Sequence, residues 1–186
     1  MNIAVLVFKI GIYGEQRMLC VIAKLNREAT EKLVSIQKAA LSDVVAVKPL
    51  YGHITIATYT GAQEAQFIQF CKSWMDGFFP FPVRYQNIEV LEASSIIVAS
   101  PEKSGTLEML HQRIAEEYNG SLNRWTQLEQ WYPHTTLLYE PNLDLRRICC
   151  KMSDCFAPFS TPISRIEFSR VLENGYDILD SVELRN

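Results

Sequence analysis

The chain has 186 residues, 48% of them hydrophobic, and a formal net charge of −3. That length fits one domain, or two small lobes sharing a core, and the charge lacks the basic excess by which proteins hold duplex DNA or long RNA. No run approaches the roughly 20 apolar residues of a membrane-spanning helix.

In chain order, Ile3–Phe8 reads as a short strand that Gly11 and Gly14 break. The apolar stretch Met1–Tyr13 is too short to cross a membrane and has no small-residue cleavage pattern. Met18–Leu25 reads as the next strand. Asn26 is placed to cap a helix whose Ala29, Leu33, Ile36 and Ala40 share one face. Val44–Val47 reads as a short extended piece, and Pro49 leads into a strand over Tyr51–Tyr59. Thr60 with Gln63 fits a capping box for a helix over Gly61–Gly77, which buries Ala65, Ile68, Phe70, Cys71 and Trp74. Pro80 and Pro82 introduce a strand over Val83–Leu91.

The second half repeats the order. Ile96–Ser100 is a strand, and Ser104 caps a helix to Tyr118 with Leu107, Leu110, Ile114 and Tyr118 on its apolar side, ended by Asn119-Gly120. Leu122–Gln130 shows no clear pattern. A strand over Pro133–Tyr139 is followed by a helix that opens at Pro141-Asn142 and carries Leu145, Ile148, Cys149 and Met152 on one side. Pro162–Leu172 and Tyr176–Leu184 are strands around the hairpin signal Asn174-Gly175. Each half thus reads β-α-β-α-β, with approximate halves 15–92 and 94–184 joined near Ala93–Ser95 without a flexible tether.

One short pattern occurs in both halves: Tyr51-Gly52-His53-Ile54-Thr55-Ile56 and Tyr132-Pro133-His134-Thr135-Thr136-Leu137. On a strand, alternate side chains share a face, so Tyr, His and Thr of each copy point one way. Two imidazole–hydroxyl pairs brought together make a cleft suited to in-line displacement at a phosphodiester. One group must deprotonate the attacking hydroxyl or water and another must protonate the leaving oxygen, and histidine serves both roles near neutral pH. Thr55 and Thr136, with neighbouring amides, can hold the non-bridging oxygens. Tyr51 and Tyr132 are either half-buried strand aromatics or contacts to a base or phosphate at the rim.

The paired H-x-T-apolar motif, carried by His53, Thr55, His134 and Thr136, resembles the 2H (two-histidine) phosphoesterase superfamily, and within it the 2'-5' RNA ligase-like and cyclic phosphodiesterase branch. The resemblance implies an α+β fold of two pseudo-symmetric lobes of antiparallel sheet, with outer helices, flanking a central cleft. It implies a metal-independent phosphodiesterase without cofactor, hydrolysing 2',3'-cyclic phosphates or related diesters of RNA ends or small nucleotides, and able to run backwards as a 2',5' ligase. Which histidine is base and which acid stays open. Thr135 departs from the family pattern, where an apolar residue is usual; facing the core, its hydroxyl needs a hydrogen-bond partner.

Other readings remain. The same cleft serves a non-catalytic module that binds an RNA end or phosphorylated ligand. The third histidine, His111, falls on the apolar stripe of a helix and reads as a core residue; a zinc site of His53, His111 and His134 is the remaining alternative. Of the basic residues Arg17, Lys24, Lys48, Arg84, Lys103 and Arg124, one or two can line the cleft. The five cysteines show no C-x-x-C or zinc spacing and read as reduced thiols, so a cytoplasmic monomer with no membrane or duplex DNA partner is expected.

Overall fold

The computed structural model describes residues 18–41, 49–75, 78–117, 121–172 and 175–185. The strand expected at Ile3–Phe8, the piece at Val44–Val47, the helix stops at Gly77 and Asn119-Gly120, the face residue Tyr118, the turn residue Asn174, and Arg17 and Lys48 lie outside them. The elements are β1 (Met18–Leu25), α1 (Arg27–Leu41), β2 (His53–Thr60), α2 (Glu64–Met75), β3 (Phe81–Leu91), β4 (Ile96–Pro101), α3 (Gly105–Glu117), β5 (Thr135–Tyr139), α4 (Leu145–Asp154), β6 (Phe159–Leu172) and β7 (Gly175–Glu183). The order β-α-β-α-β therefore occurs twice, and β7 stands outside the repeat.

The strands form one antiparallel sheet in the order β2-β1-β6-β3-β4-β5, with β7 also on β6. The α+β architecture is the expected one. The long strand β6 runs between the halves: Phe159–Ile163 pairs with β3, while Ile163–Arg170 pairs with β1. The helices cross over as well, since α1 packs on α4 and β5 whereas α3 packs on β2.

Local chemistry explains most boundaries. Asn26 Oδ1 accepts the Ala29 amide at 2.9 Å and Ser104 Oγ accepts that of Leu107 at 3.2 Å, so both predicted N-caps hold. Thr60 ends β2 instead of capping a helix. The helix starts later, with the Phe67 amide donating to the Gln63 carbonyl. That start turns Phe67, Ile68, Cys71 and Met75 into the core and leaves the expected Ala65 exposed. Asp144 caps α4, later than Pro141-Asn142 suggested. The patternless stretch contains a 3-10 turn, Arg124–Thr126, and a single bridge from Leu122 to Tyr59, which together cover the outer edge of β2.

The two motif strands share an irregularity. In β2 the register skips Ile56, and in β5 it skips Leu137, so each strand carries a β-bulge three residues after its histidine. The bulge turns two consecutive residues inward, Ile56 and Ala57 in one strand, Leu137 and Leu138 in the other. A side chain of the opposite half takes each bulge carbonyl: His111 Nδ1 donates to Ile56 O at 2.7 Å, and Gln37 Nε2 donates to Leu137 O.

Although β2 and β5 end the sheet order, they touch, so the sheet curls until its two edges meet. The Thr135 hydroxyl makes the join. It donates to the His53 carbonyl at 2.8 Å. Its one proton being used, the Tyr85 phenol 2.6 Å away must donate to it. Thr135 and Tyr85 are both buried. The partner that a core-facing Thr135 requires is thus the backbone of the other motif. Replacing Thr135 by Val strands the Tyr85 hydroxyl and is expected to cost at least about 2 kcal/mol, against about 1 kcal/mol for Tyr85→Phe. Urea denaturation of the two variants checks the order.

Candidate active site

His53 opens β2 and His134 immediately precedes β5, one residue outside the strand expected to contain it. Tyr51 likewise lies ahead of its strand. The approach to His53 is fixed by helix α1. A Cβ on Gly52 would meet Thr30 Oγ1 at 2.4 Å, and that hydroxyl is held by the Asn26 carbonyl. Only glycine lets the chain pass so close to the helix, whereas the second copy uses Pro133 at the same place.

Both imidazoles are oriented in the same way. Nδ1 of His53 lies 2.5 Å from the carbonyl of Tyr51, and Nδ1 of His134 lies 2.7 Å from that of Tyr132. A carbonyl only accepts, so each Nδ1 carries the proton and each Nε2 presents a lone pair. The carbonyl two residues back therefore sets the tautomer in both copies and leaves Nε2 as an acceptor. The backbone contact of Thr135 with His53 ties the two together.

The motif tyrosines are also matched. Tyr51 donates to Glu167 Oε2 at 2.6 Å and Tyr132 donates to Glu89 Oε1. Each glutamate comes from the other half: Glu167 on β6 serves the first motif, and Glu89 on β3 serves the second. Both tyrosines stay partly open, at 37% and 39% exposure, with their hydroxyls committed. The glutamates were not singled out from sequence, although a signal exists in the recurring Ile-Glu-apolar tripeptides Ile88-Glu89-Val90 and Ile166-Glu167-Phe168.

Thr55 and Thr136 follow their histidines at half-buried positions between inward-facing neighbours, so alternation puts them on the histidine side of each strand. Of the basic residues considered, Lys24 reaches the site. It pairs with His53 across β1 and β2, donates to Gly52 O at 3.1 Å, and rests 3.5 Å above the Tyr51 ring. His111 is committed elsewhere, to the Ile56 bulge and to a stack 4.1 Å from Trp131. Among the described residues no cluster of His, Cys, Asp or Glu has the geometry of a metal site.

Burial pushes His53 down to about 4; Lys24 and His134 push the same way, against the Tyr51 carbonyl and Glu167. Burial also lowers His134, opposed by the Tyr132 carbonyl and Glu89. Both shifts favour the neutral ring. An anion between the two rings raises both, because a nearby negative charge favours the imidazolium.

The sequence pattern of the family described as the 2'-5' RNA ligase superfamily matches residues 27–175. Among solved structures, that of the Thermus thermophilus protein TT0787 superposes with a TM-score of 0.68 at 18% identity, covering 90% of this chain and 98% of that one. Escherichia coli LigT complexed with NADP+ gives 0.64 at 16%, covering 92% and 99%. The same protein complexed with 3'-AMP gives 0.63 at 16%, covering 92% and 98%. At such identities the likeness shows the fold. No curated protein sequence matches.

An NMR titration of the ligand-free protein is expected to place His53 near pH 4 and His134 below the ordinary histidine value. Saturating inorganic phosphate is expected to move both upward by roughly a unit or more. Unfolded histidine binds its proton near pH 6.5 and folded His53 near 4, so stability falls as the pH drops through that window. The urea midpoint read against pH shows the loss.

Proposed function

The chain belongs to the 2'-5' RNA ligase superfamily, and from that membership we propose that it is a metal-independent phosphodiesterase acting on 2',3'-cyclic phosphates, or related diesters, of RNA ends or small nucleotides. One observation carries the reading: two imidazoles at the heads of two strands that touch, each with Nδ1 held by a carbonyl two residues back and Nε2 left to exchange a proton. In-line opening of a cyclic phosphate requires such a pair. One Nε2 takes a proton from water as its oxygen bonds to phosphorus, and the other gives a proton to the departing ribose oxygen. Thr55 and Thr136 hold the non-bridging oxygens, and Lys24 adds positive charge beside His53.

The resting protonation state agrees with this chemistry. Two neutral rings provide a base at once, and the substrate's own negative charge supplies the field that protonates the second. Solved complexes of LigT with 3'-AMP, ATP, NADP+ and phosphate support a nucleotide or phosphate ligand for this chain. Run in reverse, the pair joins a 2',5' linkage. A cytoplasmic location fits free thiols such as Cys150 and Cys155, and no described helix is long and apolar enough to cross a membrane.

With 2',3'-cyclic nucleotides in EDTA, wild-type protein is expected to turn over. His53→Ala and His134→Ala are each expected to lose about 10²–10⁴-fold in kcat/KM, and Thr55→Ala and Thr136→Ala to raise KM. Chromatography of the products gives both rates and the position of the phosphate. Tight binding of 3'-AMP without turnover of any diester would instead identify a binding module.

A further inference from the structure

The two motifs hold their imidazoles alike, yet among the described residues only His53 has a second partner. Tyr176, at the start of β7, places its hydroxyl 3.2 Å from His53 Nε2. Its ring meets the imidazole edge-on at 5.0 Å and lies 5.7 Å from the Tyr51 ring. Since His53 Nδ1–H is donated to the Tyr51 carbonyl, Nε2 is the acceptor here and the Tyr176 hydroxyl the donor. Among the described residues nothing hydrogen-bonds Nε2 of His134. The asymmetry comes from β7, which among the described strands has no counterpart in the repeat.

Fixed charge divides the same way. Lys24 sits on the His53 side, over Tyr51. On the His134 side stands Glu89. Burial favours its neutral acid, but hydrogen bonds from Ser100, Tyr132 and Asn87 outweigh that and keep it below the ordinary carboxylate range. Lys24 opposes a cation on His53, with Glu167 partly offsetting it, while Glu89 favours one on His134.

Building on the phosphodiesterase reading, we infer that Tyr176 assigns the roles within the pair: it holds His53 as the general base, leaves His134 as the general acid, and passes its hydrogen bond to a phosphoryl oxygen when substrate fills the cleft. An ionised phosphoryl oxygen is a stronger acceptor than a neutral ring nitrogen, so substrate arrival itself uncovers the Nε2 lone pair. Water then gives a proton to His53 Nε2 as its oxygen bonds to phosphorus. The phosphorus–ribose oxygen bond breaks, and the departing oxygen takes the proton from His134 Nε2. One proton enters the pair and one leaves, and exchange with solvent restores the start.

Tyr176→Phe keeps the ring and removes the donor. The titratable groups facing His53 are Lys24 of β1, Glu167 of β6, His134 ahead of β5, Tyr51 and Tyr176, and only Tyr176 changes in this variant. In ligand-free Tyr176→Phe, NMR is expected to show His53 titrating about one pH unit higher, with His134 where it was. An unmoved His53 overturns the inference. The roles are read on a nucleoside p-nitrophenyl phosphodiester, whose leaving group departs without a proton. His134→Ala is expected to lose at least about tenfold less on that ester than on the cyclic phosphate, and His53→Ala to lose about 10²–10⁴-fold on both. The reverse pattern, or equal losses for the two variants on the ester, overturns the assignment. Wild-type protein that turns over neither substrate would sink the phosphodiesterase reading, while the His53 titration would still decide whether Tyr176 governs that ring.

Discussion

One hydroxyl proton, given by Thr135 to the carbonyl of His53, joins the two ends of an open sheet. The strands concerned, β2 and β5, lie at opposite limits of the strand order. The Thr135 bond acts beside a second link, the Trp131 indole donating to the Thr55 carbonyl at 2.9 Å. With them the motifs share a wall, and the first link is backed by a buried phenol, Tyr85, that leaves Thr135 no other arrangement. A hydrogen bond in such a dry place contributes only a modest net stabilisation, but leaving its partners unmatched is expensive. That difference specifies the geometry more than it adds stability.

Around this join the halves serve each other. Strand β6 of the second half pairs with β1 of the first, and it brings Glu167 to Tyr51. Strand β3 of the first brings Glu89 to Tyr132. Helix α3 satisfies the bulge of β2 through His111, and helix α1 that of β5 through Gln37. The same exchange explains a residual cost: among the described residues Gln37 Oε1 and His111 Nε2 are both buried without a partner. A bulge three residues after each histidine redirects its strand. His111 is therefore part of the scaffold behind β2, which removes it from the three-histidine set considered from sequence.

Much of this was legible in the chain itself. The doubled Tyr-x-His-x-Thr pattern located both imidazoles, and Asn26 and Ser104 announced their helices. The bulges too were written there, as adjacent apolar pairs that break strand alternation, Ile56-Ala57 and Leu137-Leu138. What escaped depends on exchange between halves. Glu89 and Glu167 reach the tyrosines only because the last strand of each half crosses over, which local periodicity does not encode. Tyr176 reaches His53 only because β7 lies beyond the repeat. The helix after β2 was misplaced for another reason. Thr60 and Gln63 have capping chemistry, yet ladder pairing with Met18 keeps Thr60 in the strand.

The claim at the centre is that His53 and His134 act as one unit on one phosphorus. A double-variant cycle on cyclic phosphate turnover tests it most directly, comparing His53→Ala, His134→Ala and the protein lacking both. The account predicts that the double variant falls little below the worse single one, since removing either imidazole already disables a concerted proton exchange. Losses that multiply, each histidine contributing its full factor independently of the other, would contradict it.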